Sequence, residues 1–244
     1  MLKNLYIGTL GVEVTRRCNL QCAHCMRGDA QEKDLDLNAL DRLLCKTEGI
    51  DTFVLTGGEP SLVPEICSQA LSLVKAHMIP VTNFYCVTNG IVVTDAFLRT
   101  MFDWYLYTCD TGEAEFSAVA LSSDIFHKTD KLDPVTRQRN LSRLRSLGFF
   151  NETDKHTDWN KVPLINVGRA KTLKGYDKRE KDYGTLDGEI YNDNTLYIER
   201  FSFDVDGNII PAADYAYEDV DDIAVTCVSR DCWFEDIVNT YKSL

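Results

Sequence analysis

Three cysteines lie close together near the start of the chain, in the stretch VTRRCNLQCAHCMRG of residues 14–28. They are Cys18, Cys22 and Cys25, with the spacing C-x3-C-x2-C. Thiolates suit iron–sulfur clusters and zinc, and such short spacings let one loop surround a compact metal site. A closed cysteine site usually has four ligands. Three cysteines predict either an open coordination position on the metal or a fourth ligand such as His24. His24 directly precedes Cys25, which makes it an awkward ligand for the same metal ion as the Cys25 thiolate.

A second group that could do chemistry is the stretch LTGGEP, residues 55–60. Gly57 and Gly58 follow an apolar run and would let a ligand approach the backbone closely. Glu59 then offers a carboxylate at the carboxyl end of a predicted strand, where α/β folds bind ligands, and a carboxylate suits an amino group. The same residues also fit a strand-to-helix turn, with Pro60 opening the helix.

Strand and helix signals alternate along most of the chain, which is the pattern of a parallel sheet with crossover helices. A first strand is predicted just before the cysteines, and amphipathic stretches with helical spacing separate the later strands. The pattern gives roughly five or six strand–helix units. The strands are predicted over residues 10–15, 52–58, 81–90, 115–123 and 161–170, and the first helix over residues 35–49.

Composition bounds the class of protein. The chain has 244 residues, of which 44% are hydrophobic and 26% charged, the balance of a globular protein. A formal net charge of −12 argues against a nucleic-acid partner, because phosphate binding needs a basic surface. No secretory signal or membrane-length apolar run is evident, so a cytoplasmic protein without membrane association is predicted. Nine cysteines in a reducing compartment favour thiols or metal ligands over disulfides.

The cysteine and Gly-Gly-Glu motifs together resemble the signature of the radical S-adenosylmethionine (radical SAM) superfamily. In that family C-x3-C-x2-C follows the first strand and Gly-Gly-Glu ends the second, the order found here. The resemblance implies an α/β fold, a partial (β/α)6 TIM-like barrel with a short C-terminal hairpin and helix extension. It also implies an enzyme in which Cys18, Cys22 and Cys25 are the catalytic metal ligands of a [4Fe-4S] cluster. The implied cofactors are this cluster and S-adenosyl-L-methionine (SAM).

The resemblance further implies how SAM is held and used. In the family, the amino and carboxylate groups of SAM chelate the open iron, and the Gly-Gly-Glu segment contacts the amino group. The reduced cluster cleaves SAM to a 5′-deoxyadenosyl radical, which takes a hydrogen atom from the substrate. Further SAM contacts are implied for His24, near the adenine, for Ser122, and for Asn166, Gly168 and Arg169 in the stretch INVGRAK. From the residues alone, Ser122 also fits a helix cap and Arg169 a surface cation.

The last third of the chain changes in character. A charged, glycine-containing stretch predicts a division into a barrel, residues 1–175, and an extension packed on it, residues 176–244. The extension resembles the start of a SPASM or twitch domain, and its Asp-Gly pair predicts a hairpin. Pro211 is followed by alanine where that pattern has a cysteine. The extension is therefore predicted to be a lid without its own cluster, whose apolar residues pack on the barrel: Phe201, Phe203, Val205, Ile209 and Ile210.

Three cysteines outside both the loop and the predicted core remain: Cys109, Cys227 and Cys232. They fit ordinary thiols better than ligands of a second cluster, and that alternative stays open.

The resemblance of the extension predicts that the substrate is a peptide or protein side chain. The compact chain leaves a second class open, a nucleoside, nucleotide or other small molecule. A third interpretation is a non-catalytic zinc or iron–sulfur binding module, against which Glu59 and the ordered strand-end motifs argue. The predicted partners are the substrate and a reductant such as flavodoxin or ferredoxin.

Overall fold

The computed structural model of the protein describes residues 2–122, 126–127, 132–152, 163–192 and 194–242. Within these ranges strands and helices alternate over the first 150 residues, as the sequence predicts. The strands are β1 (Asn4–Thr15), β2 (Thr47–Gly57), β3 (Val81–Thr88), β4 (Ala118–Leu121), β5 (Phe150–Glu152), β6 (Leu164–Ile165), β7 (Lys178–Arg179), β8 (Gly188–Ile190), β9 (Thr195–Phe203), β10 (Asn208–Ile210) and β11 (Thr226–Cys227). The helices are α1 (Leu37–Leu44), α2 (Pro64–Ala76), α3 (Asp95–Thr111), α4 (Pro134–Arg145), α5 (Val220–Ile223) and α6 (Trp233–Lys242).

Six parallel strands form the main sheet, in the order β9-β1-β2-β3-β4-β5. β1 is central, because it pairs with β2 on one side and with β9 on the other. β10 and β11 continue the sheet beyond β9 in antiparallel fashion, and β8 also pairs with β9. This mixed α/β architecture around a parallel sheet confirms the predicted fold class.

β1 separates a cavity from the helical layer. Leu10, Val12 and Val14 are fully buried in the core that the sheet shares with the helices. Thr9 and Gly11, at alternate positions, line the cavity on the opposite face. A parallel strand whose two faces are both covered carries small or apolar residues at nearly every position, which explains the composition of this segment.

An aromatic cluster joins the second and third helices to the sheet. The Trp104 ring of α3 lies 4.6 Å from the Phe53 ring of β2 and 6.3 Å from the Phe84 ring of β3, measured between centroids. Its Nε1 donates a 3.0 Å hydrogen bond to the carbonyl oxygen of Cys67 in α2. Cys67 and Cys86 are fully buried within this core. These aromatic contacts hold α2 and α3 against β2 and β3. The carboxyl ends of these strands border the cavity.

The first helix is shorter than the sequence predicts. It is capped by the Asp36 side chain and ends at Leu44, whereas the apolar spacing favoured a helix to residue 49. Thr47 and Gly49 belong instead to β2, where they pair with residues of β1. Pairing with the central strand therefore overrides the local helical pattern.

The predicted hairpin of the tail is confirmed. β9 and β10 pair across a turn in which Gly207 has a φ of +86°, a conformation that favours glycine. Five apolar residues of this region are buried as predicted: Phe201, Phe203, Val205, Ile209 and Ile210. β9 pairs with β1 over eight residues, so the tail contributes a strand to the main sheet. The division near residue 175 remains a prediction.

The predicted late strand, residues 161–170, is only two residues long within the described ranges. Leu164–Ile165 pairs with β7 in a separate two-stranded sheet, and a 3-10 helix begins at Gly168. None of the helices in the described ranges has both the length and the apolar character needed to cross a bilayer.

The pairing of β9 with β1 makes a testable prediction about stability. Phe203 is fully buried in the main core, so Phe203→Ala should lower the free energy of unfolding by about 3–5 kcal/mol. Phe116→Ala, at a side chain that is 72% exposed, is the matched control and should change it by less than about 0.5 kcal/mol. Denaturant unfolding measures both. Similar losses in the two variants would contradict a tail that folds as part of the sheet.

Candidate active site

A cavity of about 420 Å³ opens at the carboxyl ends of the central parallel strands. The loops that follow β1, β2, β3 and β4 contribute its walls. Parallel α/β folds bind their ligands at this edge of the sheet. Nine of the residues predicted from the sequence line the cavity: Cys18, Cys22, His24, Cys25, Gly57, Gly58, Glu59, Ser122 and Arg169.

The two glycines join the end of β2 to the start of the cysteine loop. The Gly58 N–H donates to the carbonyl oxygen of Thr15 over 2.7 Å, and the Glu59 N–H donates to that of Arg17 over 2.9 Å. A Cβ added to Gly57 would lie 2.2 Å from the Thr15 oxygen, and one added to Gly58 would lie 2.2 Å from the Arg17 oxygen. Close approach of two backbones therefore requires both glycines, whatever ligand is present.

Glu59 connects the loops that follow β2 and β3. Its Oε1 accepts hydrogen bonds from the Thr88 hydroxyl, at 2.7 Å, and the Ser61 N–H, at 3.1 Å. Its Oε2 accepts one from the Asn89 N–H, at 2.8 Å. Burial raises the pKa of this carboxyl, and the three donors oppose the shift. Thr88 and Asn89, at the end of β3, thus hold the Glu59 carboxylate in place.

The three loop cysteines carry the donor atoms that iron–sulfur clusters and zinc both use. Each is half-buried and lines the cavity. Two sulfurs on one zinc ion would be about 3.8 Å apart, since Zn–S bonds are about 2.3 Å long. A cluster places each thiolate on a different iron and so accepts wider spacing.

The Cys18 sulfur accepts a hydrogen bond from within the loop. The Leu20 N–H donates to the Cys18 sulfur over 3.4 Å. Burial raises the pKa of the Cys18 thiol, and this hydrogen bond opposes the shift. A backbone donor aimed at the sulfur favours the thiolate that a metal site needs.

Gly168 and Arg169 contact the backbone of the cysteine loop. The Arg169 N–H donates to the carbonyl oxygen of Cys25 over 2.9 Å, and its Nε donates to that of Cys22 over 3.0 Å. Gly168 has a φ of +53°, and an added Cβ would lie 2.2 Å from the Met26 carbonyl oxygen. These two residues were predicted to approach the adenosine, and their observed contacts are with the loop itself.

Two further predicted residues have different surroundings. Ser122 lines the cavity, and its N–H donates to the carbonyl oxygen of Thr88 over 2.9 Å. The Asn166 side chain donates to the Glu180 carboxylate over 2.9 Å at an exposed position, and Asn166 is not among the described residues that line the cavity. The role predicted for Asn166 therefore has no contact that supports it here.

His24 takes part in an aromatic group at the mouth of the cavity. Its ring stacks on Phe126 with centroids 4.6 Å apart and meets the edge of His127 at 5.2 Å. Phe126 in turn lies 5.1 Å from the Tyr176 ring. Phe126 and Tyr176 were not singled out from the sequence, because a single aromatic residue in a loop carries no periodic signal.

A buried ionic network joins β1, the cysteine loop and the tail. The Arg16 guanidinium donates to Glu13 from Nε, at 3.0 Å, and to Asp204 from a terminal nitrogen, at 2.9 Å. All three side chains are almost entirely buried. The guanidinium also lies over the Tyr217 ring, 4.5 Å from its centroid. Sequence reasoning missed this network, although Arg16 is the first residue of the cysteine loop.

Arg27, at the other end of the loop, binds the tail directly. It donates to the carbonyl oxygens of Ala213, at 3.0 Å, and Tyr215, at 3.2 Å, and lies 3.7 Å from the centroid of the Tyr215 ring. The Tyr217 N–H donates back to the carbonyl oxygen of Arg27. Ala213, Asp214 and Tyr217 line the cavity. The tail therefore forms part of the cavity wall, as a lid would.

The remaining cysteines make local contacts away from the cavity. The Cys227 thiol donates to the carbonyl oxygen of Asp206, and the Cys232 thiol donates to the Asp236 carboxylate. Cys109 is exposed in α3. The absence of a second cluster remains a prediction.

Comparison with known proteins identifies the class. The sequence model of the Radical SAM superfamily matches residues 12–155, more than half of the chain. The protein belongs to the radical SAM superfamily, which confirms the class predicted from the cysteine and Gly-Gly-Glu motifs. Members are enzymes that use a [4Fe-4S] cluster and SAM, so the predicted enzyme class and cofactors are confirmed at the level of the family.

Two curated relatives share part of their sequence with this chain. The GTP 3′,8-cyclase of Clostridium perfringens strain 13 is 35% identical over 177 residues, which cover 68% of this chain and 50% of that protein. The GTP 3′,8-cyclase of Chlorobaculum tepidum is 30% identical over 128 residues, which cover 49% of this chain and 38% of that protein. The chain thus spans half or less of the length of these relatives.

Solved structures share the fold over nearly the whole chain. One is anSMEcpe with bound AdoMet and the Cp18Cys peptide, with a TM-score of 0.58 and 13% identity, covering 98% of this chain and 82% of that one. Another is Streptococcus suis SuiB bound to the precursor peptide SuiA, with a TM-score of 0.56 and 11% identity, covering 98% and 67%. At these identities the likeness concerns the fold alone.

The ionic network makes a prediction about pH. Burial raises the pKa of Glu13, although Arg27 and Arg16 oppose the shift, and its Oε1 has no hydrogen-bond partner among the described residues. The pKa of Glu13 is thus higher in the folded protein than its ordinary value of 4.5. Below pH 4.5 this difference contributes its full stabilisation to the fold, and the contribution is lost as the pH rises through the folded-state pKa. Glu13→Gln should therefore gain stability relative to the parent as the pH rises through that interval.

Denaturant unfolding at a series of pH values, from acid to neutral, measures this gain. Glu65→Gln, at an exposed position of α2, is the control and should follow the parent curve. Parallel curves for the parent and Glu13→Gln would contradict the raised pKa.

Proposed function

We propose that Cys18, Cys22 and Cys25 hold a [4Fe-4S] cluster in the cavity and that SAM binds beside it. When bound, these cofactors supply the 5′-deoxyadenosyl radical that abstracts a hydrogen atom from the substrate. The observation that carries this assignment is the convergence of the three thiols with Gly58 and Glu59 on one cavity wall. Membership of a family whose members use a [4Fe-4S] cluster supports a cluster over the zinc interpretation.

Glu59 is suited to receive the amino group of SAM. An ionised carboxylate has about four lone-pair sites, and Ser61, Thr88 and Asn89 already occupy three of them. The remaining site belongs to Oε2, which accepts only the Asn89 N–H. A bound cation would favour the ionised form of a carboxyl whose pKa burial has raised. We assign Ser122 and His24 to contacts with the rest of SAM, since both line the same cavity.

We propose a peptide or protein side chain as the substrate. This proposal rests on the arginine side chains that line the cavity, because they already bind hydrogen-bond acceptors of the protein itself. Arg16 is paired with Glu13 and Asp204, and Arg27 is bound by two carbonyl oxygens of the tail. A nucleoside triphosphate brings several negative charges and requires cations that are free to bind them.

The other two arginines lead to the same conclusion. Arg169 is bound to the Cys22 carbonyl oxygen and to Asp29, and the exposed Arg200 is paired with Glu199 at 3.2 Å. The cavity therefore suits a substrate of low negative charge. The peptides named with both solved structures of this fold support the same class by analogy.

A nucleotide is the second candidate substrate. It is favoured by the curated relatives named GTP 3′,8-cyclase, which are 30–35% identical over part of the chain. A nucleotide would have to displace protein acceptors from the arginines or bind through groups outside the described residues.

The cluster assignment is tested by iron content. Anaerobically reconstituted protein should bind about four irons per chain, since each cysteine ligates one iron of a four-iron cluster. Replacing Cys18, Cys22 and Cys25 by Ala together should abolish this iron and the release of 5′-deoxyadenosine from SAM. Cys109→Ser, at an exposed thiol of α3, is the matched control and should keep both. Full iron content in the triple variant, or zinc in place of iron that depends on the same cysteines, would refute the assignment.

The substrate class is tested by isotope transfer. Reduced protein with SAM is incubated either with GTP or with a pooled peptide library that carries deuterium on the side-chain carbons of its residues. The peptide proposal expects deuterium in 5′-deoxyadenosine and no acceleration of its release by GTP. Acceleration by GTP together with a mass change in the nucleotide would establish the second candidate. Release that neither addition accelerates would also count against a peptide substrate.

A further inference from the structure

We propose that Asp41, Cys45 and His77 form a zinc site on the outer helical layer, separate from the cavity. The His77 Nε2 lies 2.7 Å from Asp41 Oδ1 and 4.0 Å from the Cys45 sulfur. One ligand atom from each of the three residues lies within 4.8 Å of the other two. None of the three lines the cavity, so this site takes no part in holding the cluster or SAM.

The ends of two packed helices bring these side chains together. Asp41 and Cys45 are four residues apart, so they project from the same face of α1. His77 follows α2 directly and caps its end with a hydrogen bond from its N–H to the Leu73 carbonyl oxygen. Because α1 and α2 pack against each other, the histidine faces the other two ligands.

The chemistry of the three donors suits zinc. Thiolate, imidazole and carboxylate are its common protein ligands, at about 2.0–2.3 Å. In a tetrahedral site such ligands lie about 3.3–3.7 Å apart, so the two distances to His77 Nε2 need only modest changes. The Asp41 and Cys45 side chains are exposed enough to rotate by that amount, and solvent can supply the fourth ligand.

The electrostatic setting favours a cation at this place. Both helices end here, and a helix carboxyl end carries a partial negative charge of about half a unit. The nearby cationic side chains are directed elsewhere. Arg42 approaches the carbonyl oxygen of Val228, Lys46 lies over the Phe234 ring, and Lys75 lies over the Tyr107 ring. Zinc binding would release the thiol proton and leave a neutral imidazole as ligand, so affinity should fall at low pH.

The test uses the full chain with its cluster loaded, so that the loop cysteines are occupied. Titration with zinc against a chromophoric chelator should give one zinc per chain. Cys45→Ser and His77→Ala should each weaken zinc binding by more than about a hundredfold. Changing a residue that only supports a metal ligand typically lowers affinity by about 10- to 100-fold, so a larger loss indicates that a ligand itself was removed. Cys109→Ser, at another exposed thiol, should bind zinc like the parent.

Cobalt provides an independent readout of the ligands. The parent should show a thiolate-to-cobalt absorption band that Cys45→Ser lacks and Cys109→Ser keeps. Zinc affinity that is equal in the parent, Cys45→Ser and His77→Ala would overturn the proposal, as would a cobalt spectrum without the thiolate band. The release of 5′-deoxyadenosine from SAM should be unchanged in Cys45→Ser, so failure of this site is distinguishable from failure of the active site.

Discussion

The buried guanidinium of Arg16 is the contact on which the geometry of the active site most depends. It binds Glu13 on β1 and Asp204 after β9, two strands that lie side by side in the sheet. A buried arginine needs acceptors for its charge, and these two side chains supply them. Arg16 also begins the cysteine loop. The position of the loop therefore depends on the strand before it and on the tail almost 190 residues later.

The cysteine loop is held from three directions, which explains why a short segment with little regular structure can present its thiols. The end of β2 approaches it through Gly57 and Gly58. Arg169 binds its carbonyl oxygens from another side. The tail encloses Arg27 and supplies part of the cavity wall. A cluster bound by three thiolates needs this support because its ligands must stay in place while one iron remains open to SAM.

The same contacts shape what can enter the cavity. The arginines that hold the loop are engaged by protein acceptors and so provide little free positive charge for phosphates. Asp214 also lines the cavity and adds a negative charge, which Lys181 approaches at 3.9 Å. The arginine side chains that hold the loop are therefore largely occupied by acceptors of the protein itself.

The amino-acid sequence was enough to predict the class of fold, the family and the turn of the tail. These follow from local signals: the C-x3-C-x2-C spacing, the glycines that end β2, the alternation of strands and helices, and the Asp-Gly turn. The end of α1 was predicted wrongly, because pairing of Thr47 with β1 overrides helical spacing. The partners of Arg16, the observed contacts of Gly168 and Arg169, and the group formed by Asp41, Cys45 and His77 were decided only by the tertiary structure. Each joins residues that are far apart in the chain, and burial, register and helix packing, which bring them together, leave no mark in local sequence.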